Sequence, residues 1–325
     1  MYKLVFYLKY CLITCLFFVF GNTFAQQDAQ YSQYMYNSLY NNPATAGINS
    51  KVIELGIINR QQWLGYAASF DAGGSPTSTF AYISAPIKAL HGGLGLQVQN
   101  DKLGPLGNFS ASLSYALHEE IENGKISFGI QAGVYNMSID FSSLRPRETN
   151  DVLLQQRTTS LSQFRPDFSA GIQLTKKKYY IGIAASHLLK PSFDFGGVSS
   201  SRLNIHTNIT GGMNFDLTRE ISIKPTAIIR TDFNSFSTQI SATASYQNFV
   251  YFGLGMRNSM NVDDAIIFAG INILQEKLHI GYAFDYVVSG VTAKAPTSHE
   301  VIVRYNIPMP LPIIAPIIRT PRFRF

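Results

Sequence analysis

The sequence predicts an all-β protein, an outer-membrane antiparallel β-barrel of about fourteen strands with long extracellular loops and short periplasmic turns. From residue 75 to 305, apolar residues alternate with small or polar ones in stretches of about ten residues, as in strands that face lipid and a polar lumen. The connections between these stretches are alternately long and short. No window after residue 25 approaches the roughly 18 apolar residues of a membrane helix. A closed barrel is then the structure that spans lipid with every backbone group paired.

The N-terminus predicts export from the cytoplasm. Lys3 and Lys9 flank an apolar run that continues to Phe20, and small residues precede a cleavage point after Ala25. We therefore expect residues 1–25 to be a signal peptide. Both cysteines of the chain lie inside it, so the mature protein has no disulfide or thiolate chemistry.

Residues 26–50 are rich in amides and tyrosine and nearly uncharged, which is too aromatic for a flexible tail. We expect this segment to pack in the lumen or at the periplasmic rim. The barrel itself is assigned to residues 51–306. The last segment, 307–325, contains five prolines, which cannot donate to a sheet ladder, and we expect it to be extended and periplasmic.

Period two places alternate side chains on opposite faces of a strand. Residues 109–117 show this best, because every odd position suits hydrocarbon and every even position is Ser or Ala. The same pattern predicts strands near 51–60, 77–86, 92–99, 107–118, 125–135, 167–175, 178–187, 203–215, 221–230, 237–246, 249–257, 265–274, 278–285 and 297–305.

The connections that follow odd-numbered strands are generally the longer ones in this assignment, and those after even-numbered strands are short. Outer-membrane barrels have long external loops and tight periplasmic turns, so the alternation also predicts the orientation. A soluble β-sandwich, which would also show alternating strands and turn signals, does not require it.

Composition and motifs argue against several functions. Only 14% of residues are charged, where about a quarter is usual in soluble proteins, and the net charge is a mild +6. Nucleic-acid binding would need a concentrated basic face. None of the six histidines has a serine two positions later, no two are close in sequence, and the mature chain has no cysteine. We therefore predict no catalytic residues, no metal site, no cofactor and no enzyme activity.

Several charged residues fall on predicted strands. Asp167, Asp285 and Glu300 are expected to face the lumen, where four arginines could pair with them: Arg60, Arg230, Arg257 and Arg304. A structural charge network is a more economical interpretation of this set than acid–base chemistry.

The longest predicted connection is 136–166, and unstructured loops of that length are usually functional or disordered. It carries apolar residues that are unusual in a solvated loop: Leu153, Leu154, Leu161 and Phe164. We expect these residues to contact a partner or to fold over the mouth of the barrel as a self-packed lid.

Residues 28–37, Asp-Ala-Gln-Tyr-Ser-Gln-Tyr-Met-Tyr-Asn, and residues 42–47, Asn-Pro-Ala-Thr-Ala-Gly, resemble the opening motif of the PorP/SprF family of type IX secretion system membrane proteins. Residues 60–63, Arg-Gln-Gln-Trp, resemble its next block, and shorter similarities extend to residues 298–300. Ser38 and Ala29 depart from the pattern, because the family has proline there. The positions that the resemblance marks for partner binding are Gln33, Tyr34, Asn37, Asn42, Pro43, Gly47, Arg60, Gln62 and Trp63.

The resemblance implies a non-enzymatic outer-membrane component of the type IX secretion system that assists export or surface attachment of a secreted client such as a large adhesin, with a link to gliding motility. It also implies as partners the outer-membrane lipid, the client and the periplasmic or outer-membrane machinery. The alternative is a diffusion channel or transporter for small solutes. A plugged lumen cannot conduct, so its occupancy distinguishes the two.

Overall fold

The computed structural model describes residues 28–65, 74–144, 159–196, 201–258, 262–289 and 295–309. The predicted signal peptide and all but the first three residues of the proline-rich tail lie outside these ranges. None of the helices in the described ranges is long and apolar enough to cross a membrane.

In this part of the chain, fourteen antiparallel strands close into a barrel, as predicted. Each strand pairs with the next, and the last strand pairs with the first from Val52↔Pro308 to Gln61↔His299. The strands are β1 Val52–Gln61, β2 Thr77–Ile87, β3 Gly92–Leu103, β4 Leu106–Ile121, β5 Gly124–Asp140, β6 Ser160–Lys176, β7 Tyr179–Ser186, β8 His206–Met213, β9 Ile221–Thr231, β10 Phe236–Tyr246, β11 Val250–Asn258, β12 Val262–Ile273, β13 Leu278–Val287 and β14 Thr297–Pro308.

The two faces of the wall have opposite chemistry. Along β10, buried and exposed residues alternate, and the buried ones are Ser237, Gln239, Ser241, Thr243 and Ser245. Exposed apolar side chains such as Ile130 (65% exposed) and Leu113 (54%) face outward. The exposed apolar side chains form the lipid-facing surface, and the buried polar side chains face the lumen.

Strands β3 to β6 extend further at one end than the sequence indicated. The predicted connection 100–106 is in fact a two-residue turn at 104–105, so the rule of long connections after odd-numbered strands is wrong there. The strands β4 and β5 stay in register from Ile121↔Gly124 to Leu106↔Ile139. The added residues are largely polar and were therefore assigned to loops, but a ladder continues into the aqueous zone because polar residues are stable there.

The end of the barrel that carries most of the long connections is called the outer end below, and the opposite end the inner end. In the connection between β7 and β8, Ser192–Phe193 pairs with Ser201–Arg202. Buried side chains of this connection pack on Tyr135 of β5, and the buried cluster consists of Tyr135, Phe193, Phe195 and Leu203. We call the connection segments 188–196 and 201–203 the outer cap.

Residues 28–50 lie inside the barrel and are called the plug. They contain a 3₁₀ turn at Tyr34–Tyr36, a short helix α1 at Ser38–Asn41 and a second 3₁₀ turn at Pro43–Thr45. Plug side chains and backbone groups bond to residues of many strands around the wall, which are Ser84, Ile172, Thr226, Gln239, Tyr251, Asp285 and Glu300. Partners on such widely spaced strands require the plug to lie across the lumen.

The lumenal plug as a candidate functional site

The second half of the plug is shaped by Asn42 and Pro43. The Asn42 Oδ1 accepts from the backbone N–H of Ala44 at 2.9 Å, which is the bond of an N-cap residue, and Pro43 follows at the first helical position. The amide nitrogen of Asn42 donates to the carbonyl of Ile172 on β6 at 3.1 Å. One side chain thus caps the turn and attaches it to the wall.

Glycines let the plug approach the wall closely. Gly47 has a φ of +61°, and its N–H donates to the Ser84 hydroxyl at 2.8 Å. A Cβ there would lie 2.6 Å from the carbonyl oxygen of Ala85. On the wall, a Cβ on Gly129 would lie 2.1 Å from the backbone nitrogen of Ala44. Neither position has room for a side chain.

A buried charge cluster fixes the first half of the plug at Ser32. The Arg60 guanidinium bonds to Asp285 at 2.7 Å and lies 3.4 Å from Glu300. Arg257 bonds to Asp264 at 2.9 Å and lies 3.4 Å from Asp285. The Ser32 hydroxyl donates to Asp285 at 2.6 Å and accepts from Arg60 and Arg257 at 2.6 and 2.8 Å. The predicted lumenal charge network is therefore confirmed for Arg60, Arg257, Asp285 and Glu300, and it is completed by a plug hydroxyl.

Glu300 binds the plug backbone directly. Its two carboxylate oxygens accept from the N–H groups of Ser32 and Gln33, at 2.7 and 2.8 Å, and the residue is fully buried. Such charge-assisted bonds are about twice as strong as neutral ones. Gln239 adds a donor to the Ser32 carbonyl at 2.7 Å. The wall thus bonds both backbone polar groups of Ser32, the N–H through Glu300 and the carbonyl through Gln239.

A second ionic contact holds the start of the plug at the outer end. The Asp28 carboxylate lies 3.1 Å from Nε2 of His187 and 2.9 Å from Nδ1 of His206. Nδ1 of His187 lies 3.0 Å from Asp167. We call these four residues the outer clamp.

Asp28 and His187 of the outer clamp are both charged across the physiological range. Burial alone would raise the pKa of Asp28, but His206 and His187 hold that pKa well below its ordinary value. Burial alone would lower the pKa of His187, but Asp28 and Asp167 raise it to about 10. The contact between Asp28 and His187 is therefore a stable ion pair.

Aromatic rings fill the space between these anchors. Tyr31 is fully buried and packs edge-on against Tyr40, with ring centroids 5.0 Å apart, and beside Phe80 of β2. The hydroxyl of Tyr34 donates to Thr226 at 2.9 Å. The plug is thus packed as a protein core, with a hydrogen-bond partner for the Tyr34 hydroxyl.

The structure brings together most of the residues that the sequence marked for partner binding. Those in the plug or bonded to it are Gln33, Tyr34, Asn37, Asn42, Pro43, Gly47 and Arg60. Gln62 and Trp63 lie apart, just after β1 at the outer end, where their N–H groups donate to the carbonyl of Pro76 and the hydroxyl of Ser298. The first set packs the plug against the wall.

The predicted loop residues separate into three groups. Leu153 and Leu154 lie outside the described residues. The loop boundary at 166 was wrong, because β6 begins at Ser160 and therefore includes Leu161 and Phe164. Leu161 packs against the apolar cluster under the outer cap, whereas Phe164 is 59% exposed on the outward face. Leu161 and Phe164 are three positions apart on the same strand, so their side chains lie on opposite faces of it.

Sequence reasoning missed the outer clamp and was wrong for three charged residues, one of which, Arg230, forms no ion pair within the described residues. Asp167 pairs with His187 rather than with an arginine, and Arg304 pairs with Glu54 at 3.4 Å. No local spacing relates residue 28 to residues 187 and 206, so only the closed barrel reveals their proximity.

The family model described as "Type IX secretion system membrane protein PorP/SprF" matches residues 23–305. No curated protein matches the chain significantly. Among solved structures, the CymD monoaromatic hydrocarbon channel aligns with a TM-score of 0.51 and 9% identity, over 84% of this chain and 92% of that one. The Ralstonia pickettii toluene transporter TbuX aligns with a TM-score of 0.51 and 11% identity, over 90% and 97%. At such identities the similarity concerns the barrel fold alone.

Proposed function

The chain belongs to the PorP/SprF family of type IX secretion system membrane proteins, and from this premise we propose that it is a non-enzymatic accessory barrel of that system. In this role it assists export or surface attachment of a secreted client, such as a large adhesin used in gliding motility. Its outer end contacts the client, and its inner end contacts the secretion machinery. The protein is an outer-membrane barrel.

The observation that carries this proposal is the anchored plug. Ser32 alone is bonded to five wall residues, which are Arg60, Gln239, Arg257, Asp285 and Glu300. A diffusion channel needs a lumen that solutes can cross, and this segment occupies it. The plug therefore supports an accessory role over the alternative of a small-solute channel.

The direction of the plug also supports the proposed signal peptide. Asp28 is bonded at the outer end, whereas the carbonyl of Ala46 accepts from His118 at 2.9 Å near the inner end. Residues 28–46 thus run from the outer end toward the inner end, and the chain continues from there into β1. A leader retained as an inner-membrane anchor would be on the wrong side, which supports cleavage after Ala25.

The test is a strain that lacks this chain, complemented with the wild-type protein or with variants. Surface biotinylation of intact cells followed by mass spectrometry identifies type IX clients on the surface. We expect the deletion strain to lose one client or a small group of them from the surface while barrel assembly in general continues. Unchanged display of every type IX client would contradict the proposal.

The outer connection between β5 and β6 is the proposed contact for the client. We expect removal of residues 145–158 to leave a heat-modifiable barrel in the membrane and to abolish client display. Removal of residues 290–294, at the same end, is the matched control and should preserve display. If the 145–158 variant displays its client normally, the contact lies elsewhere, and the inner turns become the next candidates.

The channel alternative is tested with the purified barrel in planar bilayers. The anchored plug predicts no steady conductance for the wild-type protein. A steady, solute-selective conductance without any change to the plug would favour the channel.

A further inference from the structure

A polar cavity of about 70 Å³ lies in the outer half of the lumen, between the plug and the wall. Residues from both sides line it, including Asp28 and Gln30 of the plug and Gln131, His206 and Arg230 of the wall. Its volume exceeds by several times the roughly 10–15 Å³ that one water molecule needs in this measure. The cavity can therefore hold a small polar group.

Arg230 of β9 is one of the residues that line this cavity. Its two terminal nitrogens are buried and have no hydrogen-bond partner within the described residues. Its guanidinium carbon lies 5.9 Å from the centroid of the Tyr34 ring, a cation–π contact that supplies no hydrogen-bond acceptor. A buried cation without an acceptor is strongly unfavourable, whereas Arg60 and Arg257 both have carboxylate partners. An anionic acceptor bound to the Arg230 guanidinium would therefore remove this unfavourable burial energy.

His206 carries a third buried nitrogen without a partner, in addition to the two terminal nitrogens of Arg230. Asn208 of β8 is the register partner of Arg230, and His206 lies two residues away on the same face of β8. The ring of His206 uses Nδ1 for Asp28, and its buried Nε2 has no hydrogen-bond partner in the described part of the chain. In the protonated ring this nitrogen is a donor. Arg230 and His206 both line the cavity, and together they carry three buried nitrogens without a hydrogen-bond partner in the described part of the chain.

We propose that this cavity is a carboxylate-binding site with Arg230 as its main ligand. The planar fork of a guanidinium matches a carboxylate in bidentate geometry. Asp28, Asp167 and Asp232 also line the cavity, so a group with one negative charge fits better than a dianion such as phosphate. The volume admits the end of a ligand, which restricts the site to a terminal carboxylate.

Two sources carry this chemistry, a free small carboxylic acid and the C-terminal carboxylate of a peptide. The cavity is lined by Asp232 and Ser235 of the outer connection between β9 and β10, so the ligand enters from the outer end. The site does not depend on the proposed secretion role. Failure to bind a carboxylate would leave that role intact, and loss of client display would leave the site intact.

The test uses the purified full barrel in detergent and measures its thermal unfolding midpoint at constant ionic strength. The probes are sodium acetate, a short peptide with a free C-terminus and the same peptide with an amidated C-terminus. A ligand that binds the folded barrel stabilises it by RT ln(1 + [L]/Kd), so the midpoint rises with the logarithm of ligand concentration above Kd. We expect stabilisation by acetate or by the free-acid peptide and none by the amide, and the stronger of the two probes identifies the source.

Arg230→Gln should weaken this binding at least tenfold, because a hydrogen bond to a charged group is lost. Lys224→Gln is the matched control, since it removes a cation from the same face of the same strand but from a different cavity. Without probe, R230Q should unfold at the same temperature as the wild type or higher, because a buried unpaired charge is removed. Arg230→Lys keeps the charge without the fork and should bind with intermediate strength.

Equal stabilisation of R230Q and the wild type would overturn the proposal. So would the absence of stabilisation by either carboxylate at about 100 mM, a concentration that detects even millimolar affinity. In that case the cavity holds water only.

Discussion

Glu300→Gln is the sharpest perturbation of the plug. The carboxylate accepts from two consecutive backbone N–H groups, at 2.7 and 2.8 Å, and lies 3.4 Å from Arg60. The glutamine side chain of the variant keeps one oxygen that can accept from one of these N–H groups. Its NH₂ group replaces the other oxygen and faces the second N–H, to which it cannot bond. One buried N–H loses its partner, which costs about 1–3 kcal/mol, and removal of one member of a buried ion pair adds to this. We therefore expect plug docking to weaken by about 3 kcal/mol.

Hydrogen exchange measures this loss at the site. The amides of Ser32 and Gln33 exchange only when the plug opens, so a 3 kcal/mol change corresponds to an exchange about 150-fold faster. Mass spectrometry of peptic fragments that cover residues 30–36 reports both amides in the purified barrel. Strand β10 serves as an internal reference, because its ladder should keep its protection in the variant.

Glu120→Gln is the matched control, because Glu120 is an exposed glutamate near the inner end of β4. It should exchange like the wild type. If E300Q changes the exchange of residues 30–36 by less than about threefold, the carboxylate does not anchor the plug, and the reasoning about the charge cluster fails.

Three other perturbations probe the remaining contacts of the plug. The pKa of His187 is raised to about 10, so the stability that it contributes is complete below its unfolded value of about 6.5 and is lost as the pH rises from there through 10. The protection factors of residues 28–32, which correct for the base-catalysed intrinsic rate, should fall over that range, and much less so in His187→Gln. The pKa of Asp28 is depressed, so its contribution is present above about 3.9 and is lost only as the pH falls below that value. The protection factors of the same amides should therefore stay constant from pH 5 to 6.5, and a fall in protection there would contradict the assignment. Gly129→Ala should displace the turn that contains Ala44 and expose the plug to protease, whereas Gly211→Ala, whose Cβ would meet its nearest atom at 3.6 Å, should remain resistant.

The wall of the barrel follows from the sequence because its signal is local. Alternation within one strand, as in residues 109–117, depends only on lipid and lumen lying on opposite faces. The errors concern strand ends beyond the lipid zone, where polar residues such as Asn100 and Asp101 no longer distinguish a ladder from a loop. The same ambiguity led to the assignment of Phe164 to a loop.

The plug could be predicted only in part, because its contacts span distant parts of the chain. Its aromatic and amide composition indicated a packed segment, and the resemblance marked Gln33 and Asn42. The partners of Ser32 come from β1, β10, β11, β13 and β14, whose proximity arises only when the barrel closes. A charge network across the lumen was predictable from charged residues on several strands, but its centre, a serine hydroxyl, was not.

The anchors of the plug bear on how a client could use this barrel. Passage through the lumen would require release of the outer clamp, of the ionic cluster at Ser32 and of the close contact at Gly129, which hold successive parts of the plug at Asp28, Ser32 and Ala44. Opening the cluster alone would expose Arg60 and Asp285, both almost fully buried, without their partners. A buried ion pair costs about 3–5 kcal/mol when one partner is removed. The cost of breaking these contacts indicates that the plug belongs to the folded core of the barrel. It therefore favours a proposed client that binds at the outer end over one that passes through the lumen.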